Sequence, residues 1–361
     1  MTLIWNLDKA ERILRCGILS ALLATVAHSI SDVGCWTAFL ILWLNTSILY
    51  VIMASLQVPT DGRAVVITGC DSGFGLALAL HLNKLGLRVF AGCLFADSSD
   101  GARKLRQVGS STLHVLQLDV TSQDQIKKAV DEVRSHLPEG EVLWGVVNNA
   151  GMATYGEVEW VSLDTYRKMA EVNVFGVIAV TQAFLPMIRR AKGRVVNISS
   201  GLGRMAVPMR SPYVITKYAV EGFNDVLRYE MKSWGVHVSV VEPGNYIAGT
   251  SIFTEESIKS DAAKMWSNMG EEVRSDYGEE HFNARVALMK QYATGGLTDL
   301  SLVINAFTEG LLQRYPQERY NAMDLYFKVR LFIASHLPEI FYDNIYIDYL
   351  KKCCLREALD I

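Results

Sequence analysis

Between Gly62 and about Tyr320 the chain alternates short, wholly apolar runs with longer stretches whose apolar residues recur every three or four positions. The first pattern predicts strands buried on both faces, and the second predicts amphipathic helices. Strands are expected at 64–68, 88–92, 113–118, 144–147, 194–198 and 236–241. Helices are expected at 74–85, 123–136 and 213–234, with a long one at 163–190 that carries Pro186 near its end. Regular βα alternation of this kind predicts an α/β fold, a Rossmann-type doubly wound parallel sheet. No repeat, low-complexity segment or Pro/Gly-rich linker interrupts 61–320, so one domain is expected there.

The first 60 residues read differently. Cys16 to Ser31 holds no Asp, Glu, Lys or Arg, and after Asp32 neither does Val33 to Thr60. The second run is long enough for a bilayer span, which needs about 20 helical residues. Either one span lies near Val33–Leu56, or a hairpin of two spans returns the chain to the side it started from. A buried pair of helices is the alternative. The run is too long for a cleaved secretory signal, and residues 1–15 match a mitochondrial presequence weakly. Charges flanking the runs do not set an orientation. The expected location is a membrane, the mitochondrial inner membrane or the endoplasmic reticulum.

Composition adds three points. Half of the 361 residues are hydrophobic and the mean hydropathy is +0.17, an excess concentrated at the N-terminus. The net charge of −3, without a Lys/Arg block, gives no reason to expect a nucleic-acid partner. The six cysteines (Cys16, Cys35, Cys70, Cys93, Cys353, Cys354) form no C-x-x-C pair, and the seven histidines are scattered. Free thiols in a reducing compartment and no metal site are expected.

Chemistry gathers at predicted strand ends. Thr68-Gly69-Cys-Asp71-Ser72-Gly73-Phe74-Gly75 joins the first strand to its helix. Glycines there permit a tight turn and close approach to a pyrophosphate, which the helix N-terminus would hold. The second strand ends without the acid that usually binds an NAD ribose. No Arg or Lys occurs between Val89 and Gly101, so NAD(H) is expected over NADP(H). Asp119-Val120 and Asn148-Asn149-Ala150-Gly151 follow the third and fourth strands, and Asn173 sits within a helix that it suits poorly. Ser200 closes another strand. Tyr213 and Lys217, four apart, share one helix face. An ammonium one turn from a phenol favours the phenolate, as acid–base work on an alcohol or carbonyl requires.

In order and spacing, Thr68-Gly69…Gly73-x-Gly75, Asn148-Asn149-Ala150-Gly151, Asn173, Ser200, Tyr213-x-x-x-Lys217 and Glu242-Pro243-Gly244 resemble the motifs of the short-chain dehydrogenases/reductases. The resemblance runs from Gly62 to at least Tyr320. It implies that Tyr213 is the general acid/base and that Lys217 lowers its pKa and holds the cofactor ribose. It also implies that Ser200 binds the substrate oxygen and that Asn173 supports a relay water. Gly69, Asp71, Ser72, Gly73, Phe74, Gly75, Asp119, Val120, Asn149, Ala150, Gly151, Pro243, Gly244 and Thr250 would surround the dinucleotide.

Stretches such as Val89-Phe-Ala-Gly-Cys-Leu94 and Ala263-Lys-Met-Trp266 resemble the hydroxybutyrate dehydrogenase branch, while the apolar N-terminus resembles membrane-bound steroid and retinol dehydrogenases. A secondary alcohol/ketone pair is implied, 3-hydroxybutyrate/acetoacetate or a steroid or retinol. Arg204 or Arg210, in the loop before Tyr213, would meet a substrate carboxylate. Residues 250–292 would form a substrate lid. The aromatic extension 321–361 would lie on a membrane surface or pack as a helix. The family usually forms dimers or tetramers. A serine hydrolase would need G-x-S-x-G, which is absent around Ser200. A non-catalytic dinucleotide-binding scaffold would lack Tyr213 or Lys217, and both are present.

Overall fold

The computed structural model describes residues 5–347, apart from 32 and 251. The elements in order are α1 (Leu7–Ile30), α2 (Cys35–Ser55), β1 (Arg63–Thr68), α3 (Gly73–Lys84), β2 (Arg88–Cys93), α4 (Asp100–Val108) and β3 (Leu113–Gln117). Then come α5 (Gln123–His136), β4 (Val142–Asn148), α6 (Leu163–Ala170), α7 (Gly176–Ala191), β5 (Arg194–Ile198), α8 (Ser211–Met231) and β6 (His237–Pro243). The chain continues through α9 (Glu255–Asn268), α10 (Glu271–Tyr277), α11 (Glu279–Ala293), α12 (Ser301–Leu312), β7 (Arg319–Ala322), α13 (Leu325–His336) and α14 (Glu339–Tyr342).

Seven parallel strands lie in the order β3-β2-β1-β4-β5-β6-β7. Alternation along each strand sends side chains to two different cores. Val65 and Ile67 of β1 pack with α3, α4 and α12; Ala64 and Val66 pack with α5, α7 and α8. This two-sided burial explains why the strands read as unbroken apolar runs. Strand order reverses between β1 and β4, and their carboxyl ends part to leave a crevice.

Three elements escaped the pattern reading. In α4 only Gly101, Ala102 and Leu105 are buried, so its apolar stripe is thin. α12 is apolar nearly all round, because it packs deeply against the sheet. β7 is a four-residue edge strand in which only Tyr320 and Ala322 are buried. The helix expected at 163–190 is two helices joined by a π turn at Glu171–Phe175.

The N-terminal segment is a hairpin, α1 against α2, and both of its ends are tied to the domain. Lys9 pairs with Glu309, Lys328 with Asp8 at 3.2 Å and Glu11 at 3.4 Å, and Arg12 donates to the Arg319 carbonyl at 2.7 Å. At the other end Arg314 N donates to Leu56 O and Val58 N to Leu312 O, each at 2.8 Å. Beyond this docking the helices expose Leu14, Ile18, Leu22, Leu40, Leu44 and Ile48 to the surroundings. A continuous apolar surface of this kind is unfavourable in water, and both helices are long and apolar enough to cross a membrane. The α6–α7 rod is also long and apolar, but it turns its apolar side to the core: 44% of its most apolar stretch is buried, against 17% and 11% in α1 and α2. Cys353, Cys354 and the end of the C-terminal extension lie outside the described residues.

Central-strand packing leaves no room at Gly145 of β4. A Cβ there would meet Leu311 Cδ2 at 2.6 Å and Val65 Cγ1 at 3.3 Å. Gly145→Val is expected to lose about 1–3 kcal/mol through overpacking, read as a lowered thermal midpoint beside the parent protein.

Candidate active site

The crevice between β1 and β4 is held open by a clasp of short-range polar contacts. The Thr68 hydroxyl accepts from Asn149 N at 3.0 Å and Ala150 N at 2.9 Å. The Asn149 amide donates to the carbonyls of Thr68 (2.9 Å) and Gly69 (3.1 Å). Gly69 has φ +71°, and a Cβ on Gly75 would stand 2.2 Å from Gly69 O, so neither position accepts a side chain. The result is a shallow cradle before α3, whose N-cap Ser72 makes no side-chain cap bond. First-turn N–H groups of this kind fit a pyrophosphate. Asn148 serves the scaffold instead: it donates to Thr181 and Asn197, each at 2.8 Å.

Asp71, in the same turn, reaches across to the end of β2. Its carboxylate accepts from Leu94 N at 2.8 Å and Phe95 N at 3.0 Å. A negative charge thus stands where the sequence shows no acid. A base also approaches: Arg106 of α4 donates to Ala96 O at 2.6 Å and lies 3.7 Å from Asp97. Asp119 caps its own turn by accepting from Thr121 N at 2.9 Å, and Val120 is buried against Gly176.

Across the crevice, the π turn pushes Asn173 inward. Its Oδ1 accepts from Met152 N at 2.9 Å, while its Nδ2 donates to Met152 O at 2.9 Å and Thr216 Oγ1 at 3.1 Å. The extra residue in that turn lets a polar side chain leave the helix surface and tie three segments together. Ser200 lies two residues past the end of β5, where its hydroxyl accepts from Leu202 N at 3.2 Å. Lys217 Nζ donates to Ile198 O at 3.1 Å and lies 5.4 Å from the Tyr213 ring centre.

Burial dominates the electrostatics. It pushes the Tyr213 phenol up, against the opposing pull of the Arg210 cation and a hydrogen bond from Ser200. Arg210, 5.9 Å from the Tyr213 ring centre, is thus a second cation beside the phenol, in addition to Lys217 at 5.4 Å. Burial pushes Lys217 down to about 8, and the Glu221 carboxylate one turn on partly restores it. Behind Lys217, Arg319 bridges Glu221 and Glu242, and burial raises the Glu242 carboxyl.

Arg204 and Arg210 go separate ways. Arg204 turns back to Glu242 at 3.5 Å and does not line the cleft. Arg210 is buried inside the cleft, its guanidinium 4.7 Å from the Phe253 ring centre, 5.7 Å from that of Tyr292 and 5.9 Å from that of Tyr213. Burial lowers its pKa; the phenols of Tyr292 and Tyr213 act in the other direction. The cleft, a cavity of about 120 Å³, brings together Phe74, Asn149, Gly151, Ser200, Arg210, Tyr213, Lys217, Pro243, Gly244 and Thr250. Gly69, Asp71, Ser72, Gly73, Gly75, Asp119, Val120, Ala150 and Asn173 are not among its lining residues; those of the glycine turn shape the cradle beside it. Phe253 and Tyr292, which cover Arg210, carried no motif, only their place in the stretch expected to form a lid.

A glycine cradle at a switch point beside a Ser, Tyr and Lys cluster defines a Rossmann-fold, dinucleotide-dependent oxidoreductase. Residues 63–259 match the short chain dehydrogenase family. The chain is 52% identical over 289 residues to the mitochondrial D-beta-hydroxybutyrate dehydrogenase of Rattus norvegicus, covering 80% of this chain and 84% of that one. It is 41% identical over 261 residues to the 17-beta-hydroxysteroid dehydrogenase type 6 of Bos taurus, covering 72% and 80%. The fold is shared with a short chain dehydrogenase/reductase from Burkholderia phymatum solved in complex with NAD, at 23% identity and TM-score 0.56 over 73% of this chain and 90% of that one. The chain belongs to the short-chain dehydrogenase/reductase family and is an oxidoreductase acting on a CH–OH group.

The displaced pKa of Lys217 sets a testable sign. Burial lowers the pKa of folded Lys217 to about 8, from the ordinary 10.5 of the free side chain. Between those values the unfolded chain binds more protons, so this group destabilises the fold at neutral pH and the penalty fades as pH rises from about 8. Lys217→Met is expected to abolish turnover while matching or exceeding the parent's thermal midpoint at neutral pH. That advantage should shrink in alkaline buffer, as read by paired melting curves.

Proposed function

We propose that the protein interconverts 3-hydroxybutyrate and acetoacetate with NAD(H). The observation that carries this reading is Arg210, a buried guanidinium in the cleft beside Tyr213 with no carboxylate partner among the described residues. A buried cation without a counter-charge is costly, and a short hydroxy acid supplies one. A steroid or retinol brings no anion and would leave Arg210 unpaired. The identity to a D-beta-hydroxybutyrate dehydrogenase supports the same choice.

When bound, the nicotinamide supplies the hydride acceptor. Tyr213 Oη takes the hydroxyl proton during oxidation and returns it during reduction. Ser200 orients the reacting oxygen, Lys217 steadies the phenol and the ribose, and Arg210 holds the carboxylate. Asn173 positions the floor of the site through Met152 and Thr216. Pro243, Gly244 and Thr250 border the nicotinamide, and the helices of 250–292 close over the substrate. The α1–α2 hairpin holds the domain at a membrane.

A substrate panel of 3-hydroxybutyrate, estradiol and retinol tests the reading directly; turnover of a steroid or retinol without turnover of the hydroxy acid would sink it. Tyr213→Phe is expected to lower kcat about 10²–10⁴-fold while NADH still binds, as seen in its fluorescence. Arg210→Gln is expected to raise KM for 3-hydroxybutyrate roughly tenfold or more, the loss of a charge-assisted hydrogen bond.

For the cofactor, the Asp71 carboxylate at the end of β2 disfavours a 2′-phosphate by like-charge repulsion. Asp71→Asn is expected to shift the NAD-to-NADP ratio of kcat/KM roughly tenfold towards NADP. A structural loss alone would harm both cofactors equally and leave the ratio unchanged.

A further inference from the structure

On the other side of Arg210 and Tyr292 from the catalytic cleft lies a second cavity, about 380 Å³, within the usual range of ligand sites. Its walls come from the loop before α8, from α11 and from α13, and Val207, Pro208, Leu288, Met289 and Phe327 make them apolar. Two guanidiniums, Arg210 and Arg330, also line it, only 7% and 8% exposed.

Neither arginine meets a carboxylate among the described residues. Arg210 donates to the Met289 thioether at 3.5 Å, and its buried Nε has no hydrogen-bond partner. Arg330 donates to one phenol, Tyr342 Oη, from Nε at 3.1 Å and from a terminal nitrogen at 2.9 Å. Both cations act on the Tyr292 phenol, which stands at the wall shared with the cleft. Two buried positive charges in an alkyl-lined cavity call for an anion with an apolar body. A small anion would satisfy the charges and leave the walls bare; a neutral chain would fill the walls and leave the charges unpaired.

We infer that this cavity binds a single-chain alkyl carboxylate, its head between Arg210 and Arg330 and its chain along Leu288, Met289 and Phe327. The competitive character of that binding rests on the assignment of Arg210 to the substrate carboxylate: one guanidinium serves both sites, so the alkyl carboxylate excludes the short hydroxy acid. The enzyme is then throttled by a longer acid than the one it oxidises.

The test uses the full chain in phosphatidylcholine nanodiscs, titrated with decanoate and, in parallel, with decan-1-ol. Calorimetry is expected to show saturable decanoate binding that the alcohol does not reproduce. Decanoate is expected to raise KM for 3-hydroxybutyrate and leave kcat unchanged. Arg330→Gln and Leu288→Glu, the second placing a carboxylate in the cavity, should each weaken decanoate binding roughly tenfold. NADH binding in both variants reports that they fold. Equal binding of acid and alcohol, or decanoate binding indifferent to both variants, overturns the site. Saturable binding with an unchanged KM overturns the sharing of Arg210. The calorimetry needs no turnover, so a failure of the substrate reading and a failure of the cavity reading remain separable.

Discussion

Everything in the site hangs on the clasp between the ends of β1 and β4. Thr68 takes two backbone N–H groups from Asn149 and Ala150, and the Asn149 amide returns two bonds to the glycine turn. That reciprocity fixes how far the two strands diverge. The divergence in turn places the α3 N-terminus on one side of the crevice and the Asn173–Met152 tie on the other. Glycine is required at Gly69 and Gly75 because the clasp brings backbone against backbone.

The charges around the clasp are unevenly distributed. The acids Glu221 and Glu242 lie behind Lys217, neutralised by Arg319 and Arg204, so none of them faces the cleft. In front, Arg210 and Lys217 remain as buried cations beside a phenol whose own pKa is raised by burial. An anionic substrate completes this arrangement. The same imbalance extends through Arg210 to the neighbouring cavity, where Arg330 is a second buried cation without a carboxylate partner among the described residues. Burial lowers the Lys217 pKa, so its charge costs stability at neutral pH.

The hairpin shows the same economy at a larger scale. Among the described residues the domain leaves most of the hairpin's apolar surface uncovered, yet the hairpin's polar ends are stitched to α12, β7 and α13 by Lys9, Arg12, Asp8 and Glu11. The domain is thus joined to the helices at two points and held in one orientation to them. Apolarity alone does not make a helix a candidate anchor. The α6–α7 rod is nearly as apolar as α1 and α2, but the sheet covers it.

Local geometry explains what could be read from the chain by itself. Strands buried on both faces, the helical spacing of Tyr213 and Lys217, and the glycine turn each depend on residues a few positions apart, so their order in the sequence carries them. β7 and α4 were missed because two or three buried residues make no pattern. Tertiary structure decided the rest. It settled which arginine of one loop enters the cleft, that the charge at the end of β2 comes from Asp71, and that two apolar runs form a hairpin with both ends docked. Each of these depends on contact between groups far apart in the chain, and spacing along a sequence holds no information about such contacts until the sheet has closed.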